Sequence, residues 1–267
     1  MAKMNDAFSF TGPISNFSVY KMRGIDKPIV RRKGGPSKEK IKNHPRFDQI
    51  RRINAEFGGR GTASKWIMQS LWHQKPLADY NIAGPLNVLM KPIQELDADS
   101  EYGQRNILLT KNPHLLDGFS LNRRQPFDSI VRTPLTRTLV RNEQSASIHI
   151  PALMPEINFH VPGAWPMYSL VATIGIIPDL YYHVHELRYR PLSQNYSPVS
   201  SAVAFTDWYA VMNGSSATVL EVKYPDAPPD EHYSVILAIG IRFGTMYNAV
   251  TVEQVPYAGA AKVLAMG

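Results

Sequence analysis

From about Leu115 onward the chain consists of short runs of aromatic and β-branched residues separated by prolines, and a chain so interrupted cannot build long helices. The runs predict strands at 129–132, 147–150, 157–161, 168–177, 181–190, 202–211, 218–224, 234–243 and 249–254. Pro151, Pro155, Pro162, Pro178, Pro191, Pro225, Pro228 and Pro229 fall at their ends. No helical period separates them, so an antiparallel β-sandwich or jelly-roll-like domain is expected over 111–267.

Upstream the period changes. Residues 37–96 place apolar side chains at three- and four-residue steps, which predicts short amphipathic helices. Ser37 caps the first, with Glu39 in its opening turn. Pro45 starts another, carrying Phe47, Ile50, Ile53 and Phe57 as an apolar stripe up to an expected stop at Gly58-Gly59. A further helix from Thr62 groups Ala63, Trp66, Ile67, Ser70 and Leu71. One entered through Gly84-Pro85 groups Leu86, Leu89, Met90 and Ile93.

The first 36 residues read as a β-hairpin or extended arm. Phe8, Phe10, Phe17 and Val19 alternate with polar residues, Tyr20 follows, and Gly12-Pro13 is expected to break the pattern. The run ending in Arg31-Arg32-Lys33 stops at Gly34-Gly35-Pro36. So short an arm buries little of its own apolar face and needs a surface to lie on. The chain is thus expected to be α+β and mainly β, with an arm at 1–36, short helices and a linker at 37–110, and an antiparallel β domain at 111–267.

Composition permits a sizeable core, since 44% of residues are hydrophobic and only 19% charged. There is no cysteine, which excludes disulfides, thiolate nucleophiles and zinc ribbons. The longest apolar runs, near 170–177 and 235–241, are roughly half a membrane span or less. With no apolar signal region at the start, a cytoplasmic protein without a membrane partner is expected.

Charge is segregated. Residues 1–75 hold 16 Lys/Arg against 5 Asp/Glu, and residues 76–267 hold 13 against 17. Arg31, Arg32, Lys33, Arg46, Arg51, Arg52 and Arg60 form the strongest chemical feature, suited to carboxylates or phosphates. They fit docking on the acidic part of a neighbouring copy, with nucleic acid as the alternative partner. No helix-turn-helix, zinc or RNA-binding sheet signature accompanies them.

Catalytic patterns are weak. His183 and His185 would share one face of a strand as a metal-binding pair does, but Tyr189 and Arg190 stand where a third, carboxylate ligand belongs. Gly58-Gly59-Arg60-Gly61 has the look of a phosphate loop, yet Trp66 follows Lys65 where a magnesium-holding hydroxyl is required. Ser215 lacks a nucleophile elbow. Asp97, Asp99 and Glu101, and likewise Asp226, Asp230 and Glu231, read as solvated loops. Trp165, Tyr181, Tyr182, Trp208 and Tyr209 offer stacking surfaces for a carbohydrate, or more simply a core. Neither an enzyme nor a cofactor is expected.

One further signal lies between residues 10 and 72: Gly12-x-Ile14, Tyr20, Arg31-x-Lys33-Gly34-Gly35-x-Ser37, Ile41 with Pro45-x-Phe47, and Asn54-x-Glu56-Phe57-Gly58. In these motifs the chain resembles a broad family of uncharacterised proteins from Bacteroidota. The resemblance implies no activity, cofactor or site residue. An arm joined to a β domain is the layout of tubular, filamentous or phage-tail-like assemblies, so a self-associating structural subunit is the leading expectation.

Overall fold

The computed structural model describes residues 2–3, 10–22, 25–197, 201–248 and 250–267. Two compact units divide the chain, Met1–Arg51 and Arg52–Gly267.

The first unit is a four-stranded antiparallel sheet followed by short helical turns. Its strands are β1 (Ala2–Lys3), β2 (Gly12–Ile14), β3 (Phe17–Met22) and β4 (Ile25–Arg32), ordered β1-β4-β3-β2. The chain reverses between β2 and β3 at Ser15-Asn16, with Ser15 at φ +45°, and Gly12-Pro13 lies inside β2 instead of breaking it. Proline is tolerated there because β2 is an edge strand. Helix α1 (Lys38–Asn43) is capped by Ser37, whose hydroxyl accepts from the Lys40 amide.

Helix α2 (Asp48–Ser70), in the second unit from Arg52 onward, runs through Gly58, Gly59 and Gly61 without interruption, contrary to the expected stop. Gly59 is there for packing: a Cβ would stand 2.8 Å from the Tyr189 ring. The same continuity removes the suspected phosphate loop, whose amides lie within the helix. Helix α3 (Ala83–Glu95) follows, and 127–130 forms a helical turn, α4 (Phe127–Ile130), in place of a strand at 129–132. The three-residue spacing of Phe127 and Ile130 puts both into the core.

The remaining elements are strands: β5 (Thr136–Val140), β6 (Ser145–Ile150), β7 (Met167–Pro178), β8 (Tyr181–His183), β9 (Arg188–Arg190), β10 (Ser201–Phe205), β11 (Tyr209–Ala210), β12 (Thr218–Lys223), β13 (Tyr233–Met246) and β14 (Val252–Met266). The main sheet has the order β10-β7-β13-β14, with β11 also paired to β7. A second sheet has the order β12-β6-β5, and β8 pairs with β9. All pairings are antiparallel.

Several expected strands resolve differently. Residues 181–190 form a hairpin turning at 184–187, and 202–211 splits at Thr206, whose hydroxyl accepts the Leu170 amide at 3.0 Å. Residues 157–161 form a loop held by Asn158, which accepts the Met154 amide and donates to the Ala152 carbonyl.

Three layers result. Leu170, Ala172, Ile174 and Ile176 of β7 and Val235, Leu237, Ile239 and Ile241 of β13 face Ala146, Ile148 and Ile150 of β6 and Leu220 and Val222 of β12, forming a β-sandwich core. On the opposite face, Val171, Ile236, Ala238, Ala261 and Val263 pack against Ala63 and Ile67 of α2 and Leu86, Met90 and Ile93 of α3. The main sheet is therefore covered on both sides, which accounts for the unbroken apolar runs of β7 and β13. The smaller sheet alternates buried and exposed residues. The helices of 52–110 belong to the same core as the sheet.

Polar ties lock the layers. Ser70 donates to the Ile176 carbonyl at 3.0 Å, and the Gln74 amide donates to Val171 and Thr173 at 2.9 and 3.0 Å. Buried Glu56 accepts from Arg105 through two 2.7 Å bonds and from the Gly103 amide at 2.9 Å. Burial pushes the Glu56 carboxyl up, but the Arg105 and Gly103 donors and the Arg105 charge outweigh it, leaving the group below its ordinary value.

Candidate interaction surfaces

In the N-terminal unit only Val19, Pro28 and Ile29 are buried among the described residues. Of the side chains expected to pack the arm, Val19 is enclosed, Tyr20 is half-buried, and Phe10 and Phe17 are exposed; Phe8 lies outside the described residues. Ile14 and Met22 are exposed as well. The unit carries twelve Lys/Arg against four Asp/Glu, so positive charge and uncovered apolar surface coincide on a small sheet.

The seven basic residues separate into two groups. Arg31, Arg32, Lys33 and Arg46 are exposed. Arg31 and Arg32, paired with Ser18 and Phe17, stand on opposite faces of the sheet, and Lys33 reaches back to the Ser15 carbonyl. The others turn onto their own chain. Arg51 donates to the Ile41 and His44 carbonyls and pairs with Asp48, Arg52 donates to the Tyr102 carbonyl, and Arg60 lies over the Phe57 ring.

Helix α2 turns the expected apolar stripe outward. Ile50, Ile53 and Phe57 are exposed, Phe57 at 59%, while charged Glu56 is buried. The periodicity identified an apolar face correctly but could not tell that the interior would take Glu56 with its distant partner Arg105.

Acidic groups gather elsewhere on the second unit. Glu95, Asp99 and Glu101 are exposed next to exposed Leu96 and Tyr102. Asp97 holds this loop together by accepting the amides of Asp99, Ser100 and Asn106, and these bonds keep its carboxyl low against the upward push of burial. It is an organiser of the loop and not a solvated linker residue. Asp230 is likewise engaged, accepting from Tyr196 at 2.5 Å and from the His232 amide at 2.8 Å.

The remaining sequence candidates are dispersed. His183 ends β8 and His185 sits in the following turn, so the two do not share a strand face; no cluster of three or more metal-binding side chains occurs among the described residues. Trp165 stacks on Phe243 at 4.9 Å and Tyr209 packs on Tyr168 at 5.6 Å, placing both against the sandwich core. No described helix is long and apolar enough to cross a membrane. No protein-family model, curated protein or solved structure matches the chain.

Proposed function

We propose that the chain is a structural subunit of a homo-oligomeric assembly, tubular, filamentous or phage-tail-like, in the bacterial cytoplasm, and not a catalyst. The observation that carries this reading is the N-terminal unit, whose described residues include only three buried ones beside an excess of exposed cations and uncovered Phe10, Ile14, Phe17 and Met22. A sheet with so small an interior gains stability from a neighbouring surface. The end of α3 and the loop after it, bearing Glu95, Asp99 and Glu101 with Leu96 and Tyr102, offer complementary charge and apolar area on a second copy. The resemblance of residues 10–72 to Bacteroidota proteins fits a docking unit shared among different β domains.

Deleting residues 1–36 is expected to abolish assembly, because the main core lies wholly within 52–267, while leaving a cooperative β-type thermal transition. Light scattering and negative-stain microscopy read the first outcome and circular dichroism the second. Charge reversal at Arg31, Arg32 and Lys33 is expected to weaken assembly with the fold intact. A wild-type protein that stays at 30.0 kDa at high concentration, or particles unchanged by the deletion, would refute the proposal.

The exposure of Arg31, Arg32, Lys33 and Arg46 also suits a phosphate backbone. Oligonucleotide affinity that falls steeply with salt, in a protein that does not self-associate, would favour nucleic-acid binding as the function.

A further inference from the structure

On the helix-facing side of β13 the residues run Ile236, Ala238, Gly240, Arg242, Gly244, so one charged side chain closes an apolar stripe between two glycines. Across the sheet Arg242 is paired with Ser169 on β7 and Gly259 on β14. The glycines let the segment after α2 approach the sheet closely, since a Cβ at Gly240 would run into Gln74 and Leu77 and one at Gly259 into Leu77, and a cleft opens beside that contact. The resulting cleft has a volume of about 210 Å³ and is lined by Trp72, His73, Pro76, Phe205, Arg242 and Gln254, among others.

Arg242 is held between aromatic rings with one N–H donor unpaired. Its guanidinium carbon lies 4.2 Å from the Phe205 ring centroid and 4.6 Å from that of Trp208. Its Nε is enclosed without a hydrogen-bond acceptor. Among the described residues no carboxylate pairs with it, and the side chains of His73 and Gln254 also lack partners. A partly desolvated cation without a counter-charge is unfavourable, and an anionic ligand in the cleft would relieve that cost.

The neighbouring strand is distorted at this point. Arg242 is opposite Gly259 but Gly244 is opposite Gln254, so residues 255–258 bulge out of the ladder. Tyr257 sits at φ +60° and is exposed. Bulges and strained backbone of this kind recur beside binding sites, where they re-aim side chains.

We propose that this cleft binds a small monocarboxylic acid with an aromatic body. Its carboxylate takes the edge of the Arg242 guanidinium, with donors from Gln254 and His73, and its ring lies against Trp72 and Phe205. Arg242 is the one Lys or Arg among the cleft's lining residues, with Lys75 outside it over the Trp72 ring, so a singly charged carboxylate is matched more closely than a phosphate dianion. The small volume excludes most larger ligands.

The test is calorimetric titration, paired with heteronuclear NMR, of the full chain with benzoate, phenylacetate, acetate and inorganic phosphate. The aromatic acids are expected to bind saturably and about tenfold more tightly than acetate or phosphate, and Arg242→Met to weaken them by about tenfold or more. Arg242→Lys, which keeps charge but loses the flat fork, falls between. Trp72→Ala, on an exposed rim residue, provides an independent readout should the Arg242 variants unfold, and is expected to weaken the aromatic acids while sparing acetate. The proposal is overturned if neither aromatic acid saturates, if phosphate binds as tightly as they do, or if affinity is unchanged in the folded variants.

Discussion

Arg105→Met is expected to destabilise the second unit by about 3–5 kcal/mol, because it strands the Glu56 carboxylate in an interior that only the Gly103 amide then serves. The bridge joins α2 to the loop after α3 across 49 positions of sequence and is almost closed to solvent, with Glu56 at 5% and Arg105 at 18% side-chain exposure. The double variant Glu56→Gln with Arg105→Met removes both charges and is expected to recover most of the loss. Urea denaturation of the two single variants and the double variant measures the coupling directly. A single-variant loss below about 1 kcal/mol would place the pair among ordinary surface bridges.

The same bridge confers acid sensitivity of a defined sign. The Glu56 carboxyl is held below its ordinary value of 4.5, so its contribution is fully present above that pH and is lost as pH falls through the folded-state value. Between about pH 5 and pH 3 the melting temperature of the wild type is expected to fall more steeply than that of Glu56→Gln. Parallel curves would show that other carboxylates dominate acid unfolding.

Gly259→Ala is expected to cost about 2–6 kcal/mol, the combined effect of backbone strain and overpacking. Gly259 sits at φ +151°, a conformation that side chains resist, and an added Cβ would collide with the Ile241 carbonyl on the paired strand as well as with Leu77. The nearer obstacle cannot swing away, since the Ile241 carbonyl is backbone of an interior strand of the main sheet. Gly58→Ala supplies a control of opposite sign. That glycine is exposed in the interior of α2 with nothing within 4 Å of a new Cβ, so the change is expected to stabilise by about 0.5–1 kcal/mol. Thermal melts that rank the two variants the other way would show that close approach does not govern the Gly259 position.

These glycines mark the limits of reading the chain linearly. Gly58-Gly59 is a helix stop by every local rule, yet α2 continues through it because the Tyr189 ring, 130 residues away in β9, needs a surface without a side chain. The β14 strand was legible only at its start, since the run from Ala258 onward is rich in alanine and glycine, which carry little intrinsic strand preference and are recruited by the β13 edge.

The sequence alone determined that the C-terminal part is an antiparallel β fold, that its longest apolar runs lie near 170–177 and 235–241, that helices precede it and that basic charge is concentrated near the start. Those properties follow from period, proline placement and charge, which are local and survive without knowledge of partners. Tertiary structure decided which of the amphipathic faces is inside. Ile53 and Phe57 are turned to solvent while Glu56 is buried, because Arg105 satisfies its charge from a distant loop. It also decided that Arg242, in sequence an ordinary basic residue in an apolar run, has aromatic faces from Phe205 and Trp208 and no counter-charge among the described residues. A side chain's burial and partners depend on which strands and loops fold over it, and those contacts span too much sequence for any local pattern to record.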